Sequence, residues 1–338
     1  RKGLDRLRRD ARYRDKLAMV AALPDRPSGD EDDRLQLIFT CCHPVLAREA
    51  QVALTLRAVA GLTTGEIARA FMIPEETLAK RIVRAKRKIV DANVPYRVPS
   101  PQDLLPRLDQ VLTVIYLIFN EGYLTTGGRD PIRRDLAADA EWLASMLIHL
   151  VPGEPEALAL VALIRLHLAR WPSRLDSEGR LVLLEAQDRT LWDRRSIVDA
   201  VRMLERATAV GRPGPYQIEA AIAAIHCEAL TWEATDWPQI LALYTLMASK
   251  DSSATVRLGR AIALGHVSGA ETALQELDEL EQPLSGYHLF HATRASLLRQ
   301  LGRPVEASQA ETTAIKLTDN QAERALLAER LVGGGALS

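Results

Sequence analysis

The sequence predicts an all-α protein: a helix-turn-helix domain followed by a larger helical domain that ends in repeated helix pairs. Three observations predict it. From Leu104 to Val332 the apolar residues recur at helical spacing, and R-L-V-L-L-E at 180–185 is the only short stretch that reads as a strand. Residues 63–90 hold a capped short helix, a tight turn and a basic amphipathic helix, in that order. Near the C-terminus two segments align at a spacing of 34, Ala273 with Ala307 and Leu280 with Ala314.

A chain of 338 residues is long enough for about two domains. Apolar content of 47% and charged content of 26% are ordinary for a globular protein. No run of 18 apolar residues is present to span a membrane, and the N-terminus has no apolar signal core. The chain opens on Arg1 rather than Met, so it reads as starting inside a longer gene product. Three cysteines, Cys41, Cys42 and Cys227, are too few for a disulfide framework, and the cytoplasm is the expected compartment. The net charge of −1 hides an asymmetry. Residues 1–97 carry 20 Lys and Arg against 13 Asp and Glu, and residues 98–338 carry 23 against 31. A basic end joined to an acidic end implies two jobs, the basic one facing an anionic partner.

Residues 1–23 read as a basic helix, with Leu4, Leu7, Ala11, Leu17 and Ala21 set among arginines. Residues 24–33, P-D-R-P-S-G-D-E-D-D, have the composition of a solvated linker. Helical periodicity resumes for a domain at 34–92. A second linker is expected at 93–103, where three prolines in seven residues cannot continue a helix. The remaining domain, 104–332, breaks near Pro152, Pro172, Gly211 to Pro215, Lys250 to Ser253 and Gln282 to Gly286, which leaves helices of ordinary length with short connections. In the C-terminal pairs Gly269 and Gly302 stand between the halves, where small residues would let two helices approach closely. The period equals that of the tetratricopeptide repeat.

The stretch that carries function is 49–90. A helix ends before Gly61. Thr63 and Glu66 then have capping-box spacing, so hydroxyl and carboxylate can each satisfy a free backbone donor of a short helix from Thr64 to Phe71. Met72 and Ile73 form the turn, and Pro74 suits the first position of the next helix. In that helix Leu78, Ile82, Ala85 and Ile89 form one face. Thr77, Arg81, Arg84 and Lys88 are placed opposite, with Lys80 and Arg87 beside them. One face packs and the other is cationic, which is the geometry of a recognition helix in the major groove. Its N-terminal half would reach base edges while Lys86, Arg87 and Lys88 sit near phosphates.

Other constellations point elsewhere less strongly. Cys41-Cys42-His43 with His226-Cys227 suggests a metal site, but free cysteines are more often buried apolar residues. Glu121 in N-E-G-Y at 120–123 would be a general acid in an enzyme; the plainer reading is a helix that stops at Gly122. Trp142, Trp171, Trp192, Trp232 and Trp237 would line a ligand pocket or, more commonly, a core. With no nucleophile and base pairing, phosphate loop or metal motif, the chain does not read as an enzyme and implies no cofactor, no metal ligand and no catalytic residue.

G-L-T-T-G-E-I-A-R-A-F-M-I-P-E-E-T-L-A-K-R-I-V-R-A-K-R-K-I at 61–89 resembles region four of sigma factors of the extracytoplasmic-function type, which reads the promoter's −35 element. The resemblance implies that Glu76, Thr77, Lys80, Arg81, Arg84, Arg87 and Lys88 face DNA. Residues 3–14 look like the last helix of region two, whose remainder would lie upstream. D-R-L-Q-L-I-F-T-C-C-H-P (33–44), L-I-F-N-E-G-Y (117–123), L-V-L-L-E-A-Q-D-R (181–189), G-P-Y-Q-I-E-A-A-I-A-A (214–224) and T-D-W-P-Q-I (235–240) look like the subgroup with a C-terminal tetratricopeptide-like helical extension. The partners implied are promoter DNA and core RNA polymerase, through its β flap and, by region two, its β′ subunit. The extension is implied to regulate by contacting region four within the chain, and deleting 104–338 is expected to reduce promoter activity. The alternative is a ligand-responsive helix-turn-helix regulator with a helical-repeat sensor domain.

Overall fold

The computed structural model describes residues 31–71, 73–96, 99, 101–125, 127–128 and 131–333. The basic segment 1–23 and most of the stretch read as the 24–33 linker lie outside them, as does Met72. The elements run α1 (Glu31–Cys41), α2 (Arg48–Ala58), α3 (Thr64–Ala70), α4 (Glu75–Asp91), α5 (Pro101–Tyr123), β1 (Gly127–Gly128), α6 (Arg134–Leu150), α7 (Pro155–Ala169), α8 (Arg194–Thr208), α9 (Pro215–Glu228) and α10 (Trp237–Lys250). They continue through α11 (Ala254–Ser268), α12 (Ala270–Asp278), α13 (Glu281–Leu284), α14 (His288–Gln300), α15 (Pro304–Leu317), β2 (Asp319–Asn320) and α16 (Gln321–Gly333). The protein is all-α, and no described helix is long and apolar enough to cross a membrane.

The chain divides into two compact units. One contains the described residues up to Leu147, apart from 127–131; the other contains the described residues of 127–131 and those from Ile148 to Gly333. In the first, α2 is central and packs on α1, α3, α4 and α5. This unit runs past the Pro-rich break and past residue 104, where the sequence suggested a boundary. The reason is the apolar content of α5. Val111, Val114, Ile115 and Ile118 are fully buried and Leu112 and Phe119 nearly so. Each such side chain gains roughly 1.5–3 kcal/mol by leaving water, which holds α5 in the core of this unit.

Gly122 is where α5 meets α6. It lies inside α5 and is not among the residues with positive φ, so it is no left-handed helix stop. A Cβ built there would sit 2.4 Å from the Ala137 amide nitrogen and 2.9 Å from its Cα, and the Gly122 carbonyl accepts from the Arg133 amide at 2.9 Å. The glycine permits two backbones to touch.

In the second unit α7 is buried nearly all round, with Ala157 and Ala159 through Ile164 at most 1% exposed. A helix apolar on every side belongs in a core, and α8 and α9 pack on it. Glu156 reaches across from α7 to cap α9, its carboxylate accepting from the amides of Tyr216 at 2.9 Å and Gln217 at 3.3 Å. The QDR segment closes the other end. Arg189 donates to the His226 and Ala229 carbonyls, both at 2.7 Å, and Arg194 to the Cys227 carbonyl at 2.9 Å. Two arginines thus satisfy the acceptors that end α9.

The strand suggested at 180–185 is not formed. Leu181 makes a lone antiparallel bridge with Leu175, and Leu184–Ala186 is a single 3-10 turn. Asp176 binds the Glu178 and Arg180 amides, each at 2.9 Å, which folds the segment back before a ladder can extend. Among the described residues the strands are β1 and β2, two residues each, paired in parallel as Gly127 with Asp319 and Gly128 with Asn320.

The C-terminal helices pack in sequence, α10 on α11, α11 on α12, α12 on α14, α14 on α15 and α15 on α16. Ala273 and Ala307, which the 34-residue register equates, are both fully buried. Their glycines serve a different purpose from the one expected. Gly269 and Gly302 have φ of 90° and 68° with open space where a Cβ would be. They reverse the chain between helices rather than allow close approach. Ala307→Trp should overpack α14 against α15 and cost about 1–3 kcal/mol. Chemical denaturation reads this directly, and a midpoint unchanged from the parent would show that the pair can open to admit the ring.

Candidate nucleic-acid interface

Local chemistry builds the α3–turn–α4 motif. Thr63 Oγ1 accepts from the Glu66 amide at 3.2 Å, and Glu66 Oε2 accepts from the Thr63 amide at 2.6 Å, so the capping box is complete. The other carboxylate oxygen of Glu66 lies 3.5 Å from the Arg133 guanidinium, and Arg133 also pairs with Asp135 at 2.8 Å. Burial pushes the Glu66 carboxyl up, but the Thr63 hydrogen bonds and the Arg133 and Arg69 charges outweigh it and leave it below the usual range. The same side chain therefore starts α3 and ties it to the segment leading into α6. Pro74 stands at the N-cap of α4, one position earlier than expected, with extended ψ of 139°. Asn93, at φ 54°, takes the left-handed conformation just past the end of α4.

The packed face of α4 is as the periodicity requires, with Leu78, Ile82, Ala85 and Ile89 buried and Val90 beside them. The helix packs on α2 and α3. Glu76, Thr77, Lys80, Arg84, Arg87 and Lys88 are exposed, and Arg81 is half-buried. The centre of the outer face differs from the one read off the sequence. At about 100° per residue, Lys80 and Arg87 lie opposite Leu78 and Ile82, Glu76 and Arg84 lie to either side of them, Val83 and Thr77 lie farther out on opposite sides, and Arg81 and Lys88 lie on a flank. On this face Glu76 holds Lys80 at 2.6 Å, and Asp91 lies 3.7 Å from Arg87. Such exposed pairs contribute little stability, so the cations remain available. Val83 is also on the solvent face, at 65% exposure; an uncharged residue gives no charge signal there, though helical periodicity places it outside the packed face.

The T-C-C-H-P turn is structural. Cys41 and Cys42 are fully buried. Burial pushes both thiols up, Cys42 to about 12 and Cys41 beyond that under the added influence of Cys42. Gln51 holds the turn by donating to the His43 carbonyl at 3.0 Å and the Cys42 and Leu46 carbonyls at 3.3 Å. No group of three or more metal-binding side chains is assembled among the described residues.

Of the five tryptophans, Trp192 is core at 3% exposure, its indole donating to Ser173 Oγ at 2.6 Å. Trp232 and Trp237 instead join His226 and His266 in a ring cluster, with Trp237 and His266 stacked at 3.6 Å. Trp232 and His266 also line a groove of about 390 Å³ between α11 and α14, with Glu185, Gln300 and Arg330 on its walls.

Burial, then the charges of Arg170 and Arg189, lower His226 to about 4, and burial with Arg170 and Arg174 lowers His167 well below its ordinary value. Both groups bind fewer protons folded than unfolded. Stability should therefore fall as pH drops from about 6.5 towards 4, by about 1.4 kcal/mol per pH unit per histidine. His226→Gln should flatten the profile over that window. Melting temperatures between pH 7.5 and 4.5 test this, and parallel profiles for parent and variant would contradict it.

Residues 36–89 match sigma-70 region 4, and residues 107–208 match a family of unknown function, DUF6596. The chain is 41% identical over 340 residues to an uncharacterized protein of Rhizobium meliloti (strain 1021), an alignment covering 97% of this chain and 80% of that one. No solved structure matches.

Proposed function

This chain belongs to one family with its Rhizobium meliloti relative and carries a sigma-70 region 4 domain at residues 36–89, and from that premise we propose that it is a sigma factor of the extracytoplasmic-function type that delivers core RNA polymerase to specific promoters. The carrying observation is α4, a helix docked by Leu78, Ile82 and Ile89 that presents Thr77, Lys80, Arg84, Arg87 and Lys88 to solvent. In this reading α4 lies in the major groove of the −35 element, with Arg81 and Arg84 at base edges and Arg87 and Lys88 at phosphates. Polymerase is held through the β flap and, by region two, the β′ subunit. The residues beyond 104 form a tetratricopeptide-like regulatory extension whose first helix, α5, braces the reading head through α1 and α2. The reaction belongs to the polymerase, so the chain needs no active site of its own.

Run-off transcription with core polymerase and the full-length protein tests the proposal. A promoter-dependent transcript is expected, lost when residues 75–91 are replaced by a neutral helix. Specific DNA binding without any core-dependent transcript would favour a second reading, a ligand-responsive regulator. One observation favours that reading, the groove lined by Trp232 and His266.

A further inference from the structure

Val83 is an exposed apolar residue among the cations of α4. It is 65% exposed, the highest exposure of any large apolar side chain described between residues 31 and 95. Isolated exposed apolar residues are ordinary on protein surfaces, so exposure alone says little. Its position says more. Val83 is exposed one turn after Lys80 and one turn before Arg87, on the side of the solvent face away from Thr77 and Arg81. A β-branched residue there is a poorer helix former than the Arg, Lys or Ala around it, and it contributes little burial in return.

We propose that Val83 reads a thymine methyl group in the major groove of the DNA bound by α4, which makes it a specificity-determining residue. The inference rests on the sigma-factor reading above. Among base edges in the major groove, the C5-methyl of thymine is the apolar feature, and aliphatic side chains are its partners. Val83 is eight residues past Glu75, about 12 Å along the helix, and a major groove about 12 Å wide keeps that position within reach of base edges. The branched Cβ restricts χ1, so its two methyl groups are presented in few orientations. The surrounding charges complete the arrangement. Lys80, one turn before Val83, lies 2.6 Å from Glu76 in an exposed pair that leaves its ammonium available to a phosphate. Arg84 is exposed, and Arg87 is held only by the weak exposed pair with Asp91, so both can take phosphates or guanines nearby.

The test uses the full chain and DNA sites selected by it from a random pool. Each thymine of the selected site is replaced in turn by deoxyuridine, which removes the methyl and leaves the hydrogen-bonding edge unchanged. One replacement should weaken binding by the parent protein about fourfold, the value of one buried carbon. Val83→Ala should bind the thymine and deoxyuridine sites equally, while far-ultraviolet circular dichroism confirms an intact fold. Selected binding with no sensitive thymine would overturn this inference alone. A deoxyuridine effect that persists in Val83→Ala would do the same. Unchanged DNA affinity in the variant with loss of run-off transcript would place Val83 against polymerase and also overturn it. Failure to select any sequence would overturn both this inference and the reading on which it rests.

Discussion

Gly122→Val should destabilise the DNA-reading unit by at least about 3 kcal/mol and abolish specific DNA binding at physiological temperature. A Cβ at this position would lie 2.4 Å from the Ala137 nitrogen and 3.0 Å from the Arg133 carbonyl oxygen. Those are backbone atoms at the start of α6 and cannot rotate aside as a flexible side chain would. Two effects compete in the smaller variant, Gly122→Ala. Alanine gains up to about 1 kcal/mol of helix propensity, but the same Cβ makes the same clash, and the clash is the larger effect. Gly65 in α3 is the control. Its Cβ would meet Glu75 Oε2 at 3.5 Å, an ordinary contact. Gly65→Ala should be neutral or stabilise by about 0.5–1 kcal/mol. Urea unfolding and binding to a selected site distinguish the cases. If Gly122→Ala unfolds at the parent's urea midpoint, the α5–α6 contact does not constrain the unit.

Arg84→Ala should weaken binding to a selected site about 10- to 100-fold, while affinity for random duplex changes much less. Arg84 is exposed on the solvent face, where a bidentate donor can meet a guanine edge. Arg81→Ala carries the same expectation in kind but a smaller one in size, because Arg81 is half-buried on the flank and part of its side chain packs against the protein. Lys88→Ala should weaken every sequence about equally and lower the slope of log affinity against log salt by about 1, as the loss of a single phosphate contact does. Titrations at several salt concentrations read both quantities. Should Arg84→Ala weaken selected and random DNA by the same factor, Arg84 contacts phosphate and the base-reading assignment passes to other residues.

The helix class, the capped α3 and the two faces of α4 were legible from the residues because each depends on local rules: a 3.6-residue period, a side chain satisfying its neighbour's amide, a proline that cannot donate. Leu78, Ile82 and Ile89 are buried for the same reason that they stand three or four apart. The solvent face is less simply read: Arg81 is half-buried on its flank, and exposed Val83 carries no charge to mark it.

Tertiary structure alone decided the rest, because those features pair residues far apart in the chain. Nothing near Gly122 in sequence indicates that Ala137 will press against it. The positive φ of Gly269 and Gly302 replaced an expected close packing because only the folded path shows how sharply the chain must turn. The apolar run of α5 was visible as a helix, but its partners were not. It joins α1 and α2 in one core, since burial is decided by which surfaces happen to be left open, and composition does not say where those are.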